Sequence, residues 1–189
     1  MNTVTPIASL SETLSSYMEG KDADSDVLTG LATISQSSRG LIKFVESYRN
    51  LTRVAAPVKK AFYVREMIDR VLQLTSQQMS EAGTVCTYSE RSDDILLYAD
   101  ESQISQILIN LIRNACQAGA HKIEITAEID PSDSVFIHVS NNGRPISKES
   151  REEIFVPFYT TKQEGTGIGL SLSRQIMRLH NGTLTLTGS

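Results

Sequence analysis

The sequence has few cysteines, no long apolar run and no cluster of basic residues. Its two cysteines, Cys86 and Cys116, are far apart and lack metal-ligand spacing, so we expect buried free thiols of a reducing compartment. No run approaches the length of about 18 apolar residues that indicates a membrane span. With a formal net charge of -4 and no Lys/Arg cluster, the chain is not expected to bind nucleic acid through its phosphates.

The first eleven residues also lack the basic segment and the small-residue cleavage site of a signal peptide. Together with the thiols, this predicts a cytoplasmic protein, with any membrane attachment made through segments upstream of Met1. A length of 189 residues is enough for one substantial α/β core plus a smaller element.

Residues 1–55 predict a helical hairpin. Apolar or small residues recur at alternating steps of three and four in two segments, namely Ile7, Leu10, Leu14 and Tyr17, and then Leu31, Ile34, Ser38, Leu41, Val45 and Tyr48. This spacing is typical of helices in a bundle, and the polar segment Glu19–Ser25 predicts a loop between them. Because a lone hairpin has a small core, we expect a second copy to complete a dimeric four-helix bundle. Packing of the hairpin on the rest of its own chain is the alternative.

Residues 56–189 have the mixed pattern of an α+β domain, which begins after the linker at Pro57. Predicted helices are Arg65–Met79, a segment from Asp100 or Ser102 to about Ala118, and Gly169–His180. Predicted strands are 61–64, 84–88, 95–98, 122–128, 135–139 and 183–187.

Asn110 and Asn114 lie four residues apart, so their amides project from one side of the predicted helix. An amide oxygen suits Mg²⁺, for which nucleotide phosphates and waters commonly supply the other ligands. Taken alone, paired asparagines on a helix are more often surface or cap residues. These two lie beside an apolar stripe, where an amide without a partner is costly.

Three further segments carry candidate chemistry, although each alone has a simpler explanation. Residues 139–146 form a polar turn after a strand, and residues 154–162 place aromatic residues before hydroxyls and a lysine. Gly165–Leu170 contains three closely spaced glycines, which let backbone amides approach phosphates at the start of a helix. This is not a P-loop, because no Gly-Lys-Ser/Thr follows, and Leu170 stands where a dinucleotide fingerprint has its third glycine.

In order and spacing, the four segments resemble the ATP-binding domain shared by histidine kinases, DNA gyrase, mismatch-repair ATPases and the large heat-shock chaperones. The resemblance covers about Lys59 to the end. Asn110–Ala115 resembles the N box, Asn141–Ile146 the first glycine box, Phe155–Lys162 the F box and Gly165–Leu170 the second glycine box. It implies a two-layer α/β sandwich, with helices on one face of a mixed sheet and ATP between the N-box helix and a mobile lid.

The resemblance also implies roles for single residues. Asn114 would coordinate Mg²⁺, and Asn110 and Lys162 would be catalytic. The implied nucleotide contacts are Asn114, Asn141, Gly143, Thr161, Lys162, Gly165, Thr166, Gly167, Gly169 and Leu170. Asn141 replaces the usual aspartate that binds the adenine amino group, and Pro145 replaces a usual glycine, so the resemblance implies weaker adenine binding.

Within this superfamily, the ATP-hydrolysing branches have a glutamate at the position of Asn110, and an amide is not a base. Phosphoryl transfer to a protein acceptor is therefore favoured over hydrolysis. Asn2–Ile7 resembles the end of the phosphoacceptor motif of nitrogen-regulation sensor kinases, which puts the acceptor histidine before Met1.

The chain is thus identified as resembling the core of a bacterial two-component sensor histidine kinase, cut before its phosphoacceptor and before a last strand. Its implied cofactors are ATP and Mg²⁺, and its implied partners are a response regulator receiver domain and a second copy of the chain. This fragment is not expected to autophosphorylate. A degenerate ATP-binding scaffold or phosphatase module remains an alternative, as does a mismatch-repair-like ATPase, which Gln117–Ala120 faintly resembles.

Overall fold

The computed structural model describes residues 4–18, 25–52, 54–162 and 165–187. The chain divides into two compact units, Met1–Arg53 and Val54–Ser189. Asn2 and Thr3 of the proposed phosphoacceptor motif lie outside the described residues, as do residues 19–24 of the predicted loop. Among the helices that are described, none combines the length and the apolar character that a membrane crossing requires.

The first unit is a hairpin of two helices, α1 (Val4–Met18) and α2 (Ser25–Thr52), so both predicted helices are confirmed. Ser25, predicted as loop, is the first residue of α2. Small side chains are buried in the unit, namely Ala8, Ser11 and Ser38. The Ser11 hydroxyl donates to the Leu31 carbonyl oxygen at 2.7 Å, which ties the two helices together across their interface.

The large apolar side chains of the hairpin are exposed within this unit: Ile7, Leu10, Leu14, Tyr17, Ile34, Leu41, Phe44, Val45 and Tyr48. Leu10, for example, is 62% exposed. The hairpin therefore buries small residues and leaves most of the predicted bundle seam on its surface, except Ser38, which is buried, and Leu31, which is partly buried. Such a stripe costs free energy in water, because each apolar side chain contributes stability only when it is buried.

The second unit has five strands and three helices in its described part. The strands are β1 (Lys60–Tyr63), β2 (Val85–Glu90), β3 (Leu96–Ala99), β4 (Lys122–Ile129) and β5 (Val135–Asn141). The helices are α3 (Val64–Glu81), α4 (Glu101–Gln117) and α5 (Gly169–Leu179). These bounds lie close to the predicted ones, and the α+β class is confirmed.

The strands form two sheets. β1 pairs with β3 in antiparallel register, with Lys60 opposite Ala99. The second sheet has the order β2-β4-β5, in which β2 and β4 are parallel and β4 and β5 are antiparallel. The core between helices and strands contains residues from α3 (Met67, Ile68 and Val71), α4 (Ile107, Leu108 and Ile112), β4 (Ile123, Ile125 and Ala127) and α5 (Ile176). The helices thus cover one face of a mixed sheet, as the resemblance implies.

The predicted strand at 183–187 is wrong, since the structure assigns these residues no regular element. The alternation of threonine and leucine favours extended backbone. A strand also needs ladder hydrogen bonds to a neighbouring strand, and no strand of the described chain pairs with residues 183–187.

Both cysteines are free, as predicted, but they are half-exposed and not buried. Cys86 lies on β2, which is an edge strand and is therefore covered on fewer sides than β4. Partial burial, followed by the proximity of Cys116, still raises the pKa of the Cys86 thiol to about 11. The thiol is therefore protonated at neutral pH and a poor nucleophile.

We predict that Asp100→Ala destabilises the second unit by about 1–2 kcal/mol at pH 7. Asp100 is the N-cap of α4, where its carboxylate accepts hydrogen bonds from the backbone N–H groups of Ser102 and Gln103, and it also accepts from the Val58 N–H at 2.8 Å. The pKa of Asp100 is lowered most by a hydrogen bond from the Ser102 hydroxyl, and further by the bonds from the backbone N–H groups. Its charge-dependent stabilisation is therefore present above the unfolded pKa and is lost as pH falls through the lower folded value.

Urea unfolding at pH 7 and at pH 2–3 measures this effect. Asp100→Asn is the matched variant, because asparagine still caps a helix but has no charge. We expect Asp100→Asn to lose less stability than Asp100→Ala. A deficit of Asp100→Ala that stays constant down to low pH would contradict the assigned role of the carboxylate.

Candidate functional site

The two asparagines of α4 differ in their surroundings. Asn110 is buried, with 8% of its surface exposed. Its Nδ2 donates to the Ser173 hydroxyl at 3.2 Å, and its Oδ1 accepts from the Arg113 guanidinium at 3.0 Å. Asn114, one turn later, is partly exposed. The pair therefore has one amide enclosed between α4 and α5 and one near the surface of the unit.

Lys162, the last residue of the F-box segment, contacts Asn114. Its ammonium donates to the Oδ1 of Asn114 at 3.3 Å and to the Oε1 of Gln117 at 2.6 Å. Partial burial of the ammonium, followed by the positive charge of Arg113, lowers the pKa of Lys162. Two neutral amide oxygens near the C-terminus of α4 thus bind the same ammonium group.

These oxygens match Mg²⁺ only if a ligand brings further oxygens. Within the described residues, no group of three or more His, Cys, Asp or Glu side chains is placed to hold a metal ion. Mg²⁺ is commonly bound through one or two protein oxygens, while substrate phosphates and waters complete its octahedron. The ammonium of Lys162 already shows that the oxygens of Asn114 and Gln117 accept a cation. The donor set therefore fits a metal delivered with phosphates.

The glycine-rich segment is held against the F-box segment by backbone contacts. The Phe158 N–H donates to the Gly167 carbonyl oxygen at 2.9 Å. Gly167 has φ +66°, and a Cβ there would lie 2.6 Å from the Phe158 carbonyl oxygen and 2.7 Å from its Cα. Only glycine fits this position. Helix α5 starts two residues later, at Gly169, so its first N–H groups follow directly from this joint.

Two F-box aromatics have different partners, Phe155 on α5 and Tyr159 at Ser150. The Arg174 guanidinium lies 4.2 Å from the centre of the Phe155 ring, in a cation–π contact, and the Tyr159 hydroxyl donates to Ser150 at 2.8 Å. Thr161 and Thr166 are exposed on either side of residues 163–164, and Leu170 is half-buried in the first turn of α5. A Cβ on Gly165 would lie 3.1 Å from the Cβ of Lys162, so the two segments approach each other closely.

The first glycine box forms a turn that rests on the end of α4. The Asn141 Oδ1 accepts from the Gly143 N–H at 3.0 Å, and the Asn142 Oδ1 accepts from the backbone N–H of Lys122 at 2.9 Å. A Cβ on Gly143 would lie 3.1 Å from Ala118, the residue after α4. Asn142 thus fixes the turn, whereas the exposed side chain of Asn141 accepts its hydrogen bond from Gly143 within the turn.

The structure therefore brings Asn114 together with Lys162, and Asn110 together with Gly169, whereas Asn141 and Gly143 stand at the end of α4. The sequence did not single out Gln117, Ser173 and Arg174 for the site. Gln117 could have been found, because it lies three residues after Asn114 on the same helix face. The contact of Ser173 with Asn110 spans 63 residues and has no signal in the local pattern.

The fold and the site define a class of α/β domains in which a glycine-rich segment opens a helix beside a second helix that carries asparagines. Residues 99–189 match the family of histidine kinase-, DNA gyrase B- and HSP90-like ATPases. The sensor histidine kinase ZraS of Klebsiella oxytoca is 26% identical over 181 residues, which cover 95% of this chain and 39% of that protein. The chain thus spans about two fifths of the length of this curated relative.

Two solved structures are also similar. The catalytic domain of histidine kinase ThkA is 38% identical, with a TM-score of 0.58 over 64% of this chain and 80% of that one. A structure of ThkA in complex with the response regulator protein TrrA is 27% identical, with a TM-score of 0.66 over 95% of this chain and 52% of that one. This chain belongs to the bacterial two-component histidine kinase family and contains its ATPase-type catalytic domain. The mismatch-repair-like alternative is not favoured by these relatives.

Proposed function

We propose that this chain binds Mg-ATP and transfers the γ-phosphoryl group to a histidine, from which it passes to a response regulator receiver domain. The observation that carries this proposal is the convergence of Asn114, Gln117 and Lys162 beside the glycine-rich segment. When bound, Mg²⁺ would supply positive charge that offsets the charge of the phosphates. Asn114 would hold the metal, and Lys162 would turn from the two amide oxygens toward the γ-phosphate.

The same residues explain why we favour transfer over hydrolysis. Phosphoryl transfer depends mainly on positioning and on electrostatic stabilisation of the phosphate oxygens. Lys162 and the backbone N–H groups from Gly165 to the first turn of α5 can supply both, since N–H groups at a helix start bind phosphate. At Asn110, where hydrolysing relatives have glutamate, the amide is not a base and is already bonded to Arg113 and Ser173.

We propose that the acceptor histidine lies outside this sequence. The chain has three histidines, all in the second unit. His180 has both ring nitrogens engaged, since Nε2 accepts from the Asp100 N–H at 3.0 Å and Nδ1 lies 2.8 Å from the Ile176 carbonyl oxygen. His138 lies 3.2 Å from a carboxylate oxygen of Glu128 on the sheet. His121 is exposed, but like the other two it lies outside the hairpin, where the family resemblance places the acceptor. We therefore expect no autophosphorylation of the fragment alone.

The exposed apolar stripe of the hairpin supports a homodimer. Bringing two such stripes together would bury nine large side chains from each copy that are exposed in one chain, namely Ile7, Leu10, Leu14, Tyr17, Ile34, Leu41, Phe44, Val45 and Tyr48. We propose that this bundle presents the acceptor histidine and that the catalytic unit works in the cytoplasm. The likeness to nitrogen-regulation kinases and the domain boundary at 55 and 56 stay predictions.

A radiolabel experiment tests the proposed activity. A form of the chain extended upstream through the predicted acceptor histidine is incubated with γ-labelled ATP and Mg²⁺. We expect label on the protein that is labile in acid, stable in base and lost on replacement of that histidine or on Asn114→Ala. Free phosphate released steadily without protein label would indicate an ATPase, whereas neither product together with no ATP binding would indicate a degenerate scaffold.

A further inference from the structure

The buried amide of Asn110 is the first member of a hydrogen-bond chain that reaches the start of α5. Asn110 Nδ2 donates to the Ser173 hydroxyl at 3.2 Å, and that hydroxyl donates to the Gly169 carbonyl oxygen at 2.9 Å. Ser173 is 2% exposed, so both bonds are shielded from water. Because a shielded polar group without a partner is costly, these two hydrogen bonds fix the position of the first turn of α5 on α4.

The donor and the acceptor of each of these hydrogen bonds are fixed. The Gly169 carbonyl can only accept, so the Ser173 hydroxyl must donate to it and must in turn accept from Asn110. A carboxylate at position 110 could not supply that donor. The amide of Asn110 therefore has a structural role as a hydrogen-bond donor that does not involve nucleotide or metal.

Shape adds a second constraint at the same point. A Cβ on Gly169 would lie 2.9 Å from both Cγ and Nδ2 of Asn110, and closer still to its Oδ1. Real Cβ atoms do not approach neighbours so closely, so the α5 backbone is seated directly on the Asn110 amide. Asn110 and Gly169 thus form one fitted pair.

The remaining atom of the amide faces a positive charge. Asn110 Oδ1 accepts from the Arg113 guanidinium at 3.0 Å, and a divalent cation at the same oxygen would be repelled by that guanidinium. The family resemblance implied that Asn110 is a catalytic residue, whereas this environment points to another role.

We propose that Asn110 is a positioning residue, which acts through Ser173 and Gly169 to fix the glycine-rich segment and the first turn of α5, and that it is not a metal ligand. The consequence for nucleotide binding rests on the proposed function. If the N–H groups of this turn meet the phosphates, moving the turn weakens ATP binding whether or not Mg²⁺ is present. A metal ligand would affect only binding in the presence of Mg²⁺.

Two measurements on the 189-residue protein test the proposal, with the uncharged variants Asn110→Ala and Ser173→Ala. The first is hydrogen exchange of residues 167–173 without nucleotide, which we expect to speed up by about threefold to tenfold, the equivalent of one lost hydrogen bond. The second is calorimetry with ATP, in Mg²⁺ and in EDTA, where we expect the affinity to fall by the same factor in both. Unchanged exchange, or a loss of affinity confined to Mg²⁺, would overturn the proposal.

The fitted pair gives an independent check. Gly169→Ala should speed up exchange in this segment strongly in the natural background and much less when combined with Asn110→Ala, because the smaller side chain leaves room for the new methyl group. Equal effects in both backgrounds would contradict a role for Asn110 in seating α5. If the unaltered protein binds no ATP, the proposed function fails, but the exchange data still decide whether Asn110 positions the helix.

Discussion

Gly167→Ala should abolish measurable ATP binding while leaving the second unit folded. The new Cβ would lie 2.6 Å from the carbonyl oxygen and 2.7 Å from the Cα of Phe158, and neither backbone atom can turn aside as a flexible side chain can. The positive φ of +66° adds a cost of about 1–2 kcal/mol for any residue with a Cβ. The hydrogen bond from the Phe158 N–H to the Gly167 carbonyl therefore has to break. The F-box segment and the glycine-rich segment then no longer hold their positions around the phosphates.

Gly119→Ala is the matched control for this change. Gly119 has a similar φ of +75°, but a Cβ there meets nothing within 4 Å. It should lose about 1–2 kcal/mol of unfolding free energy and keep its ATP affinity. Calorimetry with Mg-ATP and urea unfolding on both variants separate the two effects. Equal losses of affinity in the two variants would show that backbone strain alone, and not the contact with Phe158, governs binding.

The comparison of sequence with structure shows which signals are local. Apolar residues three and four apart located α3, α4 and α5, and alternation located the strands that pair in the two sheets, because both periods follow from backbone geometry. The same alternation wrongly predicted a strand at 183–187, since pairing depends on a neighbour that no local pattern reveals. The sequence also predicted a buried Cys86, because nothing in the sequence showed that β2 lies at the edge of its sheet.

The candidate site was predictable to the extent that its residues follow motifs in order along the chain. The motifs identified Asn114 and Lys162, and in the structure the Lys162 Nζ lies 3.3 Å from the Asn114 Oδ1. They could not distinguish the environments of Asn110 and Asn114, because burial by Ser173 and the charge of Arg113 depend on how α5 packs on α4. The spacing of the two asparagines indicated a shared face, whereas the packing gave each amide a different set of partners.

Asn114→Ala should weaken Mg-ATP binding by at least about tenfold, or about 1.4 kcal/mol, and should change binding in EDTA by less than about twofold. The reason is that the substitution removes the proposed protein ligand of the metal and leaves the backbone groups of the glycine-rich segment in place. Calorimetry with ATP in both buffers gives the comparison. Asn114 is only partly buried, so the variant should remain folded, and urea unfolding verifies this.

Two companion variants make the result specific to the metal. Asn114→Asp retains an oxygen ligand that Mg²⁺ prefers, so it should recover part of the Mg²⁺-dependent affinity, although its charge competes by pairing with Lys162, whose ammonium lies 3.3 Å from this position. Gln106→Ala, at an exposed position of the same helix, controls for changes in α4 itself and should bind ATP as the natural chain does. An equal loss for Asn114→Ala in Mg²⁺ and in EDTA would exclude the metal role. It would leave the hydrogen bond to Lys162 as the contribution of Asn114, because that bond orients the ammonium without any metal.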